Sequence, residues 1–311
     1  MLFSIFLILV GIGLLYLGGE VLIDNSIRLA KSFGVSSLVI GLTVVAFATS
    51  SPELAATVTA AFKGSPEMAI GNILGSNIAN LGLILGVSAL IFPLHTTARF
   101  IRREVAFMVF VTVLIYPLME RDRNLGWLDG LLLLGMLGLF LITQLREQRS
   151  ETEEPSEGEP PGRPAWLSSL GIALGVGLLV GGANALVGGA SDVARHLGIS
   201  ERVIGLTLLA LGTSLPELSA AISAARRHEG DLVLGNVIGS NIFNLLCILG
   251  ITSIVHPIRV PAAAIGLDFW VVLGVSVAVM FALATRNRLV RLEGAVLLAG
   301  YLGYTVFLYW Y

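Results

Sequence analysis

The sequence is poor in the residues that keep a protein in water. Only 13% of its 311 residues are charged, where a soluble domain carries about 25%, and the mean hydropathy is +0.88. A chain this short of charge cannot clothe a water-facing surface, so it uses lipid as solvent. It has one cysteine, Cys247, which excludes an intrachain disulfide and any site built from several thiolates. Cys247 reads as small apolar filler in a helix. The four histidines, His95, His196, His228 and His256, fall near loops, and none pairs with a serine and an aspartate at helical spacing. No hydrolase constellation is visible, and neither enzymatic activity nor a cofactor is expected. A net charge of −2 gives no electrostatic footing for nucleic acid. The opening stretch, MLFSIFLILVGIGLLYLGG, has no Lys or Arg before Arg28. Without a basic n-region it is expected to be a retained helix rather than a cleaved signal.

What the chain does have is apolar length. A membrane-crossing helix needs about 20 largely apolar residues, and ten such runs fall near 2–23, 36–62, 67–91, 104–119, 126–145, 166–190, 201–225, 231–255, 262–285 and 292–310. The side facing the first connection collects 13 of the 19 Lys and Arg. The positive-inside rule places that side in the cytoplasm and both termini outside, a multi-pass protein of the cell membrane. REQRSETEEPSEGEPPGRPA, residues 146–165, is acidic and proline-rich with no apolar face, and reads as a disordered cytoplasmic linker.

The linker sits at the middle of a repeat. Residues 41–90 align without gaps on 205–254, at a constant offset of 164, with 23 of 50 positions identical. Residues 1–145 and 166–311 thus read as two halves of five spans each. Five is odd, so the second half enters from the opposite side, and the sequence predicts an all-α polytopic membrane protein of two inverted-topology five-helix repeats.

The polar residues repeat as well. In AFATSSPE (46–53), Thr49 and Ser50 precede Glu53 by four and three residues, on one helical face. Pro52 has no N–H for the carbonyl of Ala48, so the helix is expected to break and leave carbonyls near Ala46 to Ala48 without their usual partners. Thr213, Ser214, Pro216 and Glu217 repeat the pattern. Asn72, Ser76 and Asn80 form an i, i+4, i+8 stripe matched by Asn236, Ser240 and Asn244, and Gly71, Gly75, Gly235 and Gly239 beside them predict close helix approach. Every donor in this set is oxygen, which suits Ca²⁺ or Na⁺ and not Zn²⁺ or Cu²⁺. An acid at the centre of a membrane helix costs about 2.5–3.5 kcal/mol on insertion scales. A bound Ca²⁺, two Na⁺ or competing protons would neutralise the two carboxylates.

Other acids read as peripheral. Glu20 and Asp24 suit interfacial solvation, Glu67 and Asp231 suit helix N-termini, and Asp268 has no account from sequence.

GLTVVAFATSSPEL and GLTLLALGTSLPEL, with GNILGSNIAN and GNVIGSNIFN, resemble the α-1 and α-2 repeats of the sodium/calcium exchanger family, within the cation/calcium antiporter superfamily. The resemblance implies alternating-access exchange of Na⁺ for Ca²⁺, usually three for one and so electrogenic, with Glu53 and Glu217 as principal calcium ligands. It implies that Thr49, Ser50, Ser76, Thr213, Ser214, Ser240 and the carbonyls of Ala46 and Ala210 complete the calcium and sodium sites, and that Asn80 and Asn244 line the centre. It also implies that the first and sixth helices slide across a core made by the other eight. Some relatives carry Asp at one or both positions matching Asn80 and Asn244, potassium-dependent members among them, so two Asn here point to potassium independence. The linker is too short for the folded calcium-sensing domains of larger relatives. A Ca²⁺/H⁺ antiporter built on the same cage is the alternative, and a cation channel is a third reading.

Overall fold

The structure, a computed structural model, describes residues 1–151, 164–198, 210–260 and 264–310. It is helical nearly throughout. In chain order the helices are α1 (Leu2–Phe33), α2 (Ser37–Thr49), α3 (Ser51–Phe62), α4 (Pro66–Ile91), α5 (98–120), α6 (Trp127–Glu151), α7 (Ala165–His196), α8 (Leu215–Arg226), α9 (Gly230–Val255), α10 (Gly266–Arg286) and α11 (Arg291–Trp310). Among the described residues six are long and apolar enough to cross a membrane, and α2 with α3, bent by 43° at their junction, make a seventh if counted as one span. Helix also fills the other expected spans, α8 being described only from a single turn at Ala210–Gly212 onward.

Several boundaries differ from the sequence reading: α5 begins at 98 rather than 104, α7 runs to His196 rather than 190, and two further differences have a visible cause. α1 runs ten residues past the expected end at 23, because the polar residues after Glu20 stay helical until Gly34 ends the helix with a left-handed φ of 63°. α6 continues to Glu151, into the expected linker, since Arg, Glu and Gln are good helix formers. Residues 152–163 of that linker, and residues 199–209 at the head of the second repeat block, lie outside the described residues.

Burial separates the helices into inner and outer sets. The apolar stretch of α9 is buried along its whole length and that of α4 along most of it, whereas α1, α6, α7 and α10 leave most of theirs uncovered. The two helices that carry the polar stripes are therefore the innermost. Glycine lets α2 reach α9. A Cβ on Gly235 would stand 2.5 Å from the Leu38 carbonyl oxygen, and one on Gly239 would stand 2.7 Å from that of Leu42. Gly71 and Gly75 show no such neighbour among the described residues; the segment matched to α2 falls largely in 199–209.

Outside this core, α1 and α7 pack on each other along glycines seven residues apart. Cβ atoms on Gly175 and Gly182 would lie 2.8 Å from the backbone nitrogens of Leu22 and Leu15, and one on Gly18 would lie 2.8 Å from that of Leu179. Two short antiparallel ladders complete the fold: β1 (Leu94–His95) pairs with β4 (Arg288–Leu289), and β2 (Asn124–Leu125) with β3 (Ile258–Arg259). Adding 164 to the numbers of β1 and β2 gives those of β3 and β4, so each ladder is the repeat image of the other.

Candidate cation site

The site begins at the two interrupted helices. Ser50 sits between α2 and α3 with φ −82° and ψ 5°, and Ser214 precedes α8 with φ −90° and ψ 1°, the sparsely occupied bridge region in both cases. Pro52 and Pro216 then fall in the first turn of the following helix, where a missing N–H costs nothing. The break thus creates a helix start, and Glu53 and Glu217 lie in its first turn, where the helix dipole favours negative charge. Both glutamates are buried, 1% and 2% exposed, and each side chain lies within electrostatic reach of the other.

One expectation about the break needs correction. The Ala46 carbonyl is not left free: the Ser50 N–H donates to it at 3.0 Å. Instead of unwinding, α2 holds its last turn closed and bends one residue later, at Ser50. The Thr49 hydroxyl lies 3.5 Å from the same Ala46 oxygen. The Phe47 carbonyl accepts the Ser51 hydroxyl at 2.9 Å, and Ala48 is the residue four before Pro52, whose nitrogen carries no hydrogen. Ala210 begins the turn Ala210–Gly212.

Side chains of the two repeats meet across the centre. Ser50 donates its hydroxyl to Glu217 Oε1 at 3.0 Å. The Thr49 hydroxyl, 3.1 Å from the Val45 carbonyl, also stands 3.3 Å from Asn236 Oδ1. On the other side Thr213 and Ser214 neighbour Glu53, yet their hydroxyls are buried without a hydrogen bond. Asn72 braces α3 from α4, its amide donating to Thr57 Oγ1 at 2.9 Å and to the Glu53 carbonyl at 3.3 Å. Ser76, Ser240, Asn80 and Asn244 are all buried on the two inner helices. Asn80 and Asn244 each open a widened turn, their carbonyls accepting from Leu85 and Leu249 five residues on. Such turns cluster at functional sites, and no residue pattern announced them.

Seven oxygens of the expected ligand residues are buried with no partner: Glu53 Oε2, Glu217 Oε2, Thr213 Oγ1, Ser214 Oγ, Ser240 Oγ, Asn80 Oδ1 and Asn244 Oδ1. A buried polar group without a partner costs about 1–3 kcal/mol, and more when charged. The arrangement is expensive unless a cation satisfies it. Two carboxylates with neutral hydroxyl and amide oxygens fit a hard, weakly or doubly charged ion. Among the described residues no three His, Cys, Asp or Glu gather, so the charge of the centre rests on these two glutamates.

A profile described as "Sodium/calcium exchanger protein" matches residues 3–146 and 167–310. The chain belongs to the sodium/calcium exchanger family. Among its relatives, the sodium/calcium exchanger MaX1 of Methanosarcina acetivorans is 32% identical over 98% of both chains, and the putative antiporter CaxA of Alkalimonas amylolytica 37% identical over 99% of both. The solved structure of the sodium-calcium exchanger NCX_Mj, soaked with Na⁺ and without Ca²⁺, superposes with a TM-score of 0.85 at 32% identity, covering 97% of each chain. As a family of exchangers it consists of transporters and not enzymes, carrying sodium and calcium across membranes.

Of the peripheral acids in this exchanger-family chain, Glu67 and Asp231 lie in the first turns of α4 and α9, and the other three have side-chain partners. Glu20 takes a two-pronged contact from Arg227, at 2.5 and 3.1 Å, and Asp24 pairs with Arg28 at 2.8 Å. Asp268 accepts the Tyr304 hydroxyl at 2.6 Å, tying α10 to α11. Its repeat counterpart Glu104 accepts the Gln144 amide at 3.0 Å, tying α5 to α6. One residue escaped the sequence reading altogether: Asn77, one step off the polar stripe, whose Oδ1 accepts the Asn244 amide at 2.9 Å.

Proposed function

We propose that this chain is a secondary antiporter that exchanges Na⁺ for Ca²⁺ by alternating access, electrogenically and without potassium. The single observation that carries the reading is the set of seven unpartnered oxygens around Glu53 and Glu217. Glu53, Glu217, Thr49, Ser50, Thr213, Ser214, Ser76 and Ser240 supply side-chain oxygens to Ca²⁺ and Na⁺, Ala46 and Ala210 supply carbonyls, and Asn80 and Asn244 line the centre. Calcium needs both carboxylates for neutrality, and the sodium ions that replace it spread over the same oxygens, carrying one charge more than calcium when three exchange for one. Two asparagines leave no third carboxylate, which supports potassium independence.

The architecture we assign is ten spans in two inverted five-helix repeats, 1–145 and 166–311, joined by a cytoplasmic linker at 146–165, with both termini outside. The matched β ladders and the matched breaks at Ser50 and Ser214 support the repeat. The distribution of Lys and Arg supports the orientation.

The test is calcium uptake into proteoliposomes under an outward Na⁺ gradient, an outward H⁺ gradient, or none. Uptake driven by Na⁺ alone, unaffected by K⁺ and accelerated by an inside-positive potential, is expected, because three Na⁺ leaving for each Ca²⁺ that enters carry one net positive charge out. Uptake driven only by H⁺ would keep the cage and change the coupling ion, since protons also neutralise two carboxylates; flux without any gradient would mean a channel.

A further inference from the structure

Asn77 and Asn241 occupy matched places in the repeats, each following the serine of the polar stripe, and both are buried, 0% and 1% exposed. They do different things. Asn77 reaches across the repeat boundary, its Oδ1 accepting Nδ2 of Asn244 at 2.9 Å. Asn241 turns its own Nδ2 back to the Val237 carbonyl of its helix at 2.7 Å, and its Oδ1 has no partner.

The consequence falls on Asn244. A carboxamide carries an acceptor oxygen at one edge and two N–H donors at the other. Because Asn77 takes the N–H edge, the Asn244 oxygen is turned the other way, where it is buried and unpartnered. A cation can use only that oxygen; the N–H edge in the same place would repel it. Two-fold rotation of the Asn244 side chain therefore separates a ligand from an obstacle, and one hydrogen bond decides between them.

We infer that Asn77 is a positioning residue for cation exchange: it fixes the face that Asn244 presents to the ion path and so sets cation affinity without touching the ion. The inference rests on the exchange function proposed above. It also assigns unequal duties to two residues that the repeat makes equivalent.

The experiment is calcium half-saturation and maximal rate of exchange in proteoliposomes holding the full chain, for wild type, Asn77→Leu, Asn241→Leu, Asn244→Ala and the Asn77→Leu/Asn244→Ala double variant. Asn77→Leu is expected to raise half-saturating calcium about tenfold, the scale of one lost hydrogen bond, with the maximal rate held within about 2-fold, while Asn241→Leu leaves both unchanged. In the Asn244→Ala background Asn77→Leu should add nothing, because it acts only through Asn244. An equal shift from Asn241→Leu, or an additive one in the double variant, would overturn the assignment. Asn77→Asp keeps the acceptor and covers the case in which Asn77→Leu does not fold; a calcium affinity weaker than wild type in Asn77→Asp also sinks the idea. A wild type that exchanges no calcium would overturn this inference together with the exchange function, whereas additivity in an active wild type overturns this inference alone.

Discussion

At the scale of single residues, the proposed cation site turns on Glu53 and Glu217. Each has one oxygen without a partner and lies in the first turn of a helix created by a break. Glu53→Gln and Glu217→Gln preserve shape and remove one charge, so each variant is expected to fold and lose calcium binding by at least about 100-fold, the worth of a charge-assisted contact near 3 kcal/mol. Isothermal titration in detergent would settle it, and near-normal binding in either variant would refute the ligand role. In the wild type, calcium binding should weaken as pH falls from 7 to 5, because protons compete for the same carboxylates. The placement of both glutamates, buried at matched helix breaks, was legible in the sequence as a glutamate beside a proline, twice, at matched positions of an apolar chain. Asn77 was not legible. The role inferred for it rests on a contact 167 residues away, and helical spacing within one stripe carries no information about which way an amide across the boundary is turned.

For the helices, the sequence predicted a break and the structure relocated its effect. Proline marks the site, but the bend falls at Ser50 and the Ala46 carbonyl keeps its backbone bond. Local rules say which hydrogen bond is lost, while the packing of α2 against α9 decides how the chain absorbs the loss. The α1–α7 pair was less visible still, because glycines at 11, 18, 175, 182 and 189 stand outside the repeated block. Gly182→Val would drive a side chain into the backbone of Leu15 and should destabilise by about 1–3 kcal/mol. Gly177→Val meets nothing and should leave the thermal midpoint of the detergent-solubilised protein close to wild type. Equal midpoints for the two variants would show that the glycine contacts do not hold the pair together.

The repeat is imperfect at the scale of the whole molecule, and the imperfection has a direction. Arg227 binds Glu20 and lies 3.6 Å from Asp24, joining α1 to the turn after α8. Shifting those residues by 164 gives Lys63, Asn184 and Gly188, a set with no carboxylate. The ionic tie between α1 and the turn after α8 therefore has no counterpart at the matched positions of the other half. If α1 moves during exchange, the tie must open, so Arg227→Gln should speed turnover by up to about 5-fold, the range of a partly exposed ion pair, with calcium binding unchanged. Stopped-flow exchange at low and high salt would check it, since salt should speed the wild type and leave the variant indifferent.

The heptad of glycines between α1 and α7 has a mechanical corollary. Each helix is 32 residues long, and their backbones interlock at intervals of seven residues, about 10.5 Å along the axis at 1.5 Å per residue. Sliding one helix along the other within that interval would press side chains into the facing backbone, so a displacement of α1 along its axis would be expected to carry α7 with it.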